Sequence, residues 1–534
     1  MGTHPYLSII TFLPLLSVVA LLLLRSDDHV WIRRIALAAS VAEFVISVLF
    51  LLPKFESAAT GYQFEEFHSW IGDSIHYHLG VDGISLFLVL LTTFLTPVSI
   101  LCSWESIHEN VKGFFVSLLV IETAMIGVFL SLDLFLFFVF WELTLIPMYF
   151  MIGMWGHGRR IYAAIKFILY TMFGSILMLV AILWLYGRSG TFDLPDILAQ
   201  MQSGQLVFPP HTELLMFGAF FLAFAIKVPL FPLHTWLPDA HTEAPTAGSV
   251  ILAGVMLKLG TYGILRFCLP LFPEAAHRMA QPIAVLAIIG IVYGALVAMV
   301  QTNFKRLIAY TSVSHLGFVV LGIFAFNTVA VQGAVFQMLS HGVSTGALFL
   351  GAGMLYDRRH TYEIKEFGGL ATPMPVLMSF FLFIALSSLA LPPLNGFIGE
   401  FLILIGTFPS HHAWASWASS GAVLSAIYLL WSYQRVALGE VTVERNKTLS
   451  DASARERIIL VTMAVAILFM GIASPLFTRR MEVSVNNVLQ QTSSPRNASH
   501  SPATAPGHPL VAMPGPPAQA SSVVAAIVER RMQP

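Results

Sequence analysis

Long apolar runs separated by short polar loops cover most of the chain. A helix that spans a bilayer needs about 20 mostly apolar residues. Runs of this kind lie near residues 5–24, 30–52, 80–103, 114–131, 134–155, 161–186, 213–238, 246–268, 282–302, 307–326, 330–356, 376–405, 415–437 and 459–477. The pattern predicts an all-α integral membrane protein with about 14 transmembrane helices. The sixth to eighth runs are interrupted by Pro and Gly, so their ends are the hardest to place.

Composition agrees with a membrane protein and narrows its chemistry. Of 534 residues, 57% are hydrophobic and 11% are charged, whereas a soluble domain carries about 25% charged residues. The net charge of -1 excludes the basic footprint of a nucleic-acid partner. Two cysteines, Cys102 and Cys268, are too few for an iron–sulfur cluster, which usually takes four. We therefore expect the lipid bilayer as a partner, no nucleic acid, no cofactor on this chain and no metal.

Two apolar runs contain proline-rich breaks. The seventh reads K-V-P-L-F-P-L-H and holds Pro229 and Pro232, and the twelfth reads L-P-P-L-N-G and holds Pro392 and Pro393. Each proline removes a backbone donor from the helix, and unsatisfied backbone is costly in lipid. Both breaks are therefore expected inside the protein or beside wet cavities. A simple kink in a bundle helix is the alternative explanation.

The spacing of the breaks predicts how the chain is divided. They lie five spans apart, which gives two five-helix repeats, and an odd number of helices inverts the second copy in the membrane. The predicted segments are an N-terminal three-helix part (1–113), the first repeat (114–270), the second, inverted repeat (271–440), a last transmembrane helix (441–480) and a disordered tail (481–534). The tail is rich in Pro, Ser and Ala.

Four ionisable residues lie within the apolar runs, namely Glu142, Lys227, Lys258 and Glu400. A charge at the centre of a spanning helix costs at least about 2.5–3.5 kcal/mol, so such residues usually have a function. Glu142 is the predicted partner of Lys227. Burial favours the neutral lysine and the glutamate favours its charged form, so the pair has the properties of a proton switch. A static buried ion pair is the alternative for these two, and a lysine held by freed carbonyls of the seventh span is the alternative for Lys258.

Histidines and hydroxyls lie between these charges along the chain. His315 is in the tenth run and His341 in the eleventh, and His241 follows the first break. A neutral histidine accepts and donates a hydrogen bond at once, which suits a proton relay with water. Each of them is also compatible with a hydrogen-bonded core residue. Most of the Lys and Arg residues fall in the loops of one side, among them Lys305 and Arg306, so both chain ends are predicted on the periplasmic side.

Several stretches resemble the proton-antiporter family of membrane chains, which occurs in respiratory complex I and in cation/proton antiporters. They are FVFWELTLIPMYFMIGMWG, PLHTWLPDAHTEAPTAGSVILAGVMLKLGTYGILR, NFKRLIAYTSVSHLGFV and LPPLNGFIGEF. The resemblance implies a fold with two inverted five-helix repeats and broken helices seven and twelve. It also implies proton-carrying roles for Glu142, Lys227, Lys258 and Glu400. Family members differ at the last position, where some have glutamate and others lysine.

The resemblance also implies a function and partners. We expect a proton-translocating membrane-arm subunit of NADH:quinone oxidoreductase in a bacterial inner membrane, driven by electron transfer elsewhere in the complex. Its expected neighbours are the antiporter-like chains L and N. The alternative is a subunit of a multi-chain cation/proton antiporter that works without redox chemistry, and Glu400 argues against it.

Overall fold

The computed structural model describes residues 5–493, which are almost entirely helical. The first helices and the hairpin between them are α1 (Tyr6–Leu23), α2 (His29–Lys54), β1 (Gln63–Ile71), β2 (Ile75–Val81), α3 (Ser85–Cys102) and α4 (Val111–Leu130). Then come α5 (Leu134–Leu143), α6 (Leu145–Trp155), α7 (Arg160–Ser189), α8 (Leu194–Gln202), α9 (Pro210–Lys227), α10 (Trp236–Glu243) and α11 (Thr246–Leu271). The remainder is α12 (Pro273–Met299), α13 (Phe304–Ile323), α14 (Thr328–Arg359), α15 (Pro375–Ser388), α16 (Asn395–Thr407), α17 (His412–Ala437), α18 (Ala454–Ile472) and α19 (Ser474–Ser493).

The helices have the length and composition of membrane spans. Within residues 5–493, 11 helices are long and apolar enough to cross a bilayer, or up to 12 if α18 and α19 form one bent span. The predicted class, a multi-pass helical membrane protein, is confirmed. The count of fourteen spans, the two inverted repeats and the segment boundaries stay predictions.

A two-stranded antiparallel hairpin, β1 with β2, departs from the all-α prediction. Its residues fall between apolar runs and alternate in character, so a search for long apolar stretches passes over them. The hairpin is tied to the helix starts beside it. The backbone N–H of His76 donates to Asp133 at 3.0 Å, and His78 Nδ1 lies 2.5 Å from the Asp193 carboxylate. Because these aspartates also cap α5 and α8, the hairpin anchors both helix ends.

The loops meet on two opposite faces. On the first, the guanidinium of Arg358 binds both carboxylate oxygens of Glu456 at 2.7 Å, and Arg455 binds Glu105 at 2.8 Å. We call this the arginine-rich face, and it carries the loops at 103–110, 156–159, 357–363 and 438–453. The opposite face carries the hairpin. The side of the membrane on which each face lies stays a prediction.

Three helices form the centre of the bundle. The apolar stretches of α11 and α14 are completely buried inside the protein, and that of α13 is almost completely buried. Close approach requires small residues in α11, since a Cβ on Gly260 would lie 2.7 Å from the carbonyl oxygen of Phe224 in α9. Helix α11 also contains two π-helical turns, Leu252–Met256 and Ile264–Cys268. Such turns are frequent at functional sites, and these two lie on either side of Lys258.

The predicted disordered tail is wrong for residues 481–493, because they continue helix α19. Met481, Val485 and Val488 are buried along one side of this helix. They follow the helical period, and their apolar stripe packs on the bundle. Polar contacts add to the attachment, since Thr328 Oγ1 donates to Asn486 Oδ1 at 2.6 Å. The rest of the predicted tail, 494–534, lies outside the described residues.

Candidate functional site

The first break follows directly on Lys227, the last residue of α9. The backbone N–H of Leu230 donates to the Ala225 carbonyl at 2.9 Å, and Trp236 Nε1 donates to the Ile226 carbonyl at 2.9 Å. The carbonyl that Pro229 frees is therefore satisfied within the protein. A cation at a helix C-terminus is stabilised by the helix dipole, so the break creates a favourable place for a charged lysine.

Lys227 and Glu142 are neighbours without being in contact. The Lys227 side chain is completely buried, donates to Thr144 Oγ1 at 3.3 Å and lies 5.1 Å from the centre of the Trp141 ring. Glu142 is only partly buried, and its charge acts on Lys227 through space. Within the described residues, no ion pair closer than 4.0 Å joins them. The predicted pair is thus brought into one region, with Thr144 as the direct partner of the lysine.

Lys258 lies in the middle of α11 and is fully buried. Its ammonium group donates to the carbonyl of Ala253, and its Nζ lies 2.6 Å from His341 Nδ1. One proton shared across this short contact can reside on the lysine, with a neutral imidazole as acceptor, or on the histidine. The alternative in which Lys258 is held by carbonyls of the seventh span is wrong, because the carbonyl belongs to its own helix.

Glu400 and His315 form a second buried contact. His315 Nδ1 lies 2.7 Å from Glu400 Oε1, and Gln337 Nε2 donates to the same oxygen at 3.1 Å. On the other side of the ring, Ser388 Oγ lies 3.4 Å from His315 Nε2. The histidine therefore has polar partners on both nitrogens, an arrangement that suits a group that takes up and releases protons.

A short gap separates the two contacts. The ring centres of His341 and His315 are 5.8 Å apart. A polar cavity of about 10 Å³ lies beside both rings and is lined also by Ser340, Ser344 and Ser388. This volume holds about one water, and the hydroxyls supply the polar partners that a water needs. Lys258, His341, His315 and Glu400 thus form one line, interrupted only by a space the size of a water.

The second break supports this line with polar groups. At the start of α16, Asn395 Oδ1 accepts hydrogen bonds from Ser387 Oγ at 2.5 Å and from Ser344 Oγ at 3.2 Å. Ser340 Oγ donates to the Asn395 carbonyl at 2.8 Å. Gly396 permits the close turn, because a Cβ there would lie 2.1 Å from a backbone oxygen of α15. The sequence analysis did not single out Asn395, Gln337 or Thr144. Each is a polar residue within an apolar run, which is the signal that identifies them.

The two lysines are not connected by hydrogen bonds within the described part of the chain. Phe224 of α9 and Val228 of the first break pack instead against Gly260, two residues after Lys258. His241 is fully buried, stacks on Phe349 at 4.5 Å, and neither ring nitrogen has a hydrogen-bond partner among residues 5–493. Its ring lies near enough to Lys258 for the two groups to interact electrostatically.

Other buried ionisable residues lie outside the predicted line. Lys305 was expected in a loop, and this expectation is wrong: it lies in the first turn of α13, where its side chain is 1% exposed and donates to the Ala244 carbonyl. Its place in the predicted loop between the ninth and tenth apolar runs did not indicate burial. Glu43 and Glu122 are also fully buried, and their carboxyl groups face each other. Among residues 5–493, no group of three or more His, Cys, Asp or Glu side chains is arranged to hold a metal ion.

Comparisons with known proteins connect this site to a family. Residues 131–427 match the family model described as NADH:quinone oxidoreductase/Mrp antiporter, TM. The chain is 46% identical over 495 residues to NADH-quinone oxidoreductase subunit M of Rhodobacter capsulatus, covering 91% of this chain and 96% of that protein. It is 43% identical to the subunit M of Rickettsia prowazekii (strain Madrid E), covering 91% and 99%.

Solved structures agree. A chain of respiratory complex I from Thermus thermophilus with bound NADH superimposes with a TM-score of 0.83 at 31% identity, covering 91% of this chain and 99% of that one. A chain of the Mrp complex from Dietzia sp. DQ12-45-1b shares the fold, with a TM-score of 0.78 at 20% identity, covering 92% and 100%. The family model spans more than half of the chain. The chain therefore belongs to the NADH:quinone oxidoreductase/Mrp antiporter family of membrane subunits.

Proposed function

We propose that this chain is a proton-translocating membrane-arm subunit of an NADH:quinone oxidoreductase, similar to subunit M of that enzyme. The observation that carries the proposal is the buried line Lys258–His341–His315–Glu400, with contacts of 2.6 and 2.7 Å at its ends. Buried groups that can exchange protons, arranged within hydrogen-bond or single-water distance, are what proton conduction through a membrane requires.

We propose that electron transfer elsewhere in the complex alters the structure at the first break, and that this alteration controls proton movement along the line. Moving Glu142 relative to Lys227 changes how strongly the carboxylate stabilises the ammonium. At a separation of about 7 Å and an effective dielectric of about 20, that interaction amounts to about 2.4 kcal/mol. Moving one charge against 100 mV requires about 2.3 kcal/mol. A switch of this size is therefore sufficient, and Glu400 is the group nearest the exit.

The setting of the subunit is part of the same proposal. The arginine-rich face is placed in the cytoplasm and both chain ends in the periplasm of a bacterial inner membrane. The neighbours are the antiporter-like chains L and N. Electron transfer takes place on other subunits, so this chain acts as a translocase without a cofactor of its own.

Replacing Lys227 or Glu142 by Ala tests the proposal in the whole complex. Purified complex in vesicles should keep its assembly but lose most of its NADH-driven proton pumping, because the switch has lost one partner. Leu222→Ala, an apolar change in α9, provides the control. Full pumping by either variant at normal assembly would sink the proposed function.

The cation/proton antiporter remains the second candidate, since a chain of an Mrp complex has the same fold. The two functions differ in their driving reaction. Sodium/proton exchange in vesicles that hold the chain with antiporter partners only, and no NADH-oxidising subunit, would favour the second candidate. NADH-dependent pumping without sodium dependence favours the first.

A further inference from the structure

The line that ends at Glu400 begins at Lys258, and the structure offers Lys258 a neighbour other than Lys227. Apolar side chains separate the two lysines, as described above. On the arginine-rich side, in contrast, the fully buried ring of His241 interacts electrostatically with both Lys258 and Lys305. His341 also interacts electrostatically with His241. His241 lies three residues before Ala244, whose carbonyl accepts a hydrogen bond from Lys305, and the charges of both lysines act on its ring.

Lys305 is held in a specific buried site. It lies in the first turn of α13, where its ammonium donates to the Ala244 carbonyl and lies 5.2 Å from the centre of the Tyr362 ring. The carboxylate of Glu243, the last residue of α10, is its opposite charge. Helix α10 thus carries the histidine and the glutamate only two residues apart, and both act on the same lysine.

An open basin on the arginine-rich face lies beside this site. It has a volume of about 740 Å³, and His157, Pro245, Thr246 and Tyr356 are among the residues that line it. The backbone N–H of His157 donates to the Glu243 carbonyl at 2.8 Å. Burial lowers the pKa of His157, and the charge of Lys305 lowers it further. Lys305 is therefore close enough to the wall of the basin for its charge to reach it.

We infer that Lys305, with Glu243 as its counter-charge, takes up protons from this basin and passes them through His241 to Lys258. The inference rests on the proposed function and assigns it an entry route that bypasses Lys227. The neutral amine of Lys305 binds a proton from water in the basin and becomes an ammonium. The ammonium gives that proton to one ring nitrogen of His241, and the other ring nitrogen releases its own proton to the neutral amine of Lys258. Lys305 is then neutral again and His241 returns to its starting tautomer, while Lys258 regains its neutral form by passing a proton on to His341.

The unpartnered nitrogens of His241 support this role. A buried polar atom without a hydrogen bond is unfavourable, and both nitrogens of this ring lack a partner among the described residues. A phenylalanine would fill the same space without burying two unsatisfied nitrogens. Because both nitrogens are free and the charges of both lysines act on the ring, His241 is suited to accept a proton on one nitrogen and release one from the other.

Lys305→Arg tests the inference, because arginine keeps the charge and the hydrogen-bond donors but does not release its proton. The variant complex is reconstituted in vesicles, and NADH-driven proton pumping is measured together with NADH oxidation and subunit assembly. Loss of a proton-transfer group costs about 10²–10⁴ in rate. We therefore expect pumping to fall by about tenfold or more in Lys305→Arg and in Lys305→Met, with assembly retained in the arginine variant. Lys365→Met removes an exposed lysine from the same face and serves as the control.

If Lys305 only stabilises the fold, the arginine variant restores pumping to the level of the control, and the inference is overturned. Lys258→Arg is measured in parallel to separate the two proposals. Normal pumping in Lys305→Arg with lost pumping in Lys258→Arg refutes the entry route alone. Normal pumping in both variants refutes the proposed function itself.

Discussion

Replacing His341 by Leu removes the group that joins Lys258 to the rest of the polar line. His341 Nδ1 lies 2.6 Å from Lys258 Nζ, and its ring centre is 5.8 Å from that of His315. Leucine is close to histidine in size, so the change removes two ring nitrogens and little packing. Within residues 5–493, Lys258 then keeps the carbonyl of Ala253 as its one hydrogen-bond partner.

Two magnitudes follow from this geometry. A hydrogen bond to a charged group is worth about 1.5–3 kcal/mol, which the buried lysine loses. A hydrogen bond spans about 2.8 Å, so the path from Lys258 to His315 becomes too long for the single water that the cavity of about 10 Å³ can hold. Because a lost relay group costs about 10²–10⁴ in rate, proton pumping should fall about 100-fold.

The assay is NADH-driven acidification of vesicles that contain the purified complex, with electron transfer measured in the same sample. His277→Leu is the matched control, since His277 is exposed on the hairpin face and stacks on Phe326 at 4.2 Å. Its pumping should equal that of the unchanged complex. If His341→Leu pumps as fast as this control, protons do not pass from Lys258 through His341, and the reasoning fails.

Three further predictions concern the first break, the hairpin and the second break. Thr144→Val removes the hydroxyl that binds the buried lysine at the end of α9 at 3.3 Å; that contact is worth about 1.5–3 kcal/mol, so pumping should decrease at normal assembly, and unchanged pumping would contradict a role for the threonine. Burial lowers the pKa of His78, but hydrogen bonds to carboxylates, that of Asp193 first, raise it from 6.5 to about 9. Because the folded pKa is the higher one, this stabilisation is complete below pH 6.5 and is lost as the pH rises through 9. After solvent screening it amounts to about 1–2 kcal/mol; thermal unfolding should show this loss, and His78→Gln should not. Gly396→Ala places a Cβ 2.1 Å from a backbone oxygen and should destabilise the chain by about 1–3 kcal/mol. The expected result is a lower yield of assembled complex. Gly187 has open space around it, so the control variant Gly187→Ala should assemble normally.

The sequence was informative where an ionisable residue interrupts an apolar run. Lys258, Glu400, His315 and His341 stand out in this way, and the structure brings these four together. Which histidine contacts which charge depends on how α11, α13, α14 and α16 pack, and the apolar pattern of each helix is too uniform to predict its neighbours. The candidate residues could therefore be predicted from the sequence, whereas the contacts between them could be found only in the structure.

The expectations that failed have physical causes of their own. Lys305 follows a loop, and a count of basic residues in loops treats it as exposed, although its first-turn position in α13 points it towards Ala244. Helix α19 carries many polar residues, so its buried stripe of Met481, Val485 and Val488 is hidden in the composition. The hairpin depends on pairing between strands that are too short to resemble spans.

The central claim is that protons cross the membrane through the line that starts at Lys258. Its most direct test is the number of protons pumped per electron by the complex with Lys258→Ala, measured in vesicles at normal assembly. The proposed function predicts that this ratio falls, because the line has lost its first proton-binding group. An unchanged ratio would show that the chain serves only to hold neighbouring subunits together.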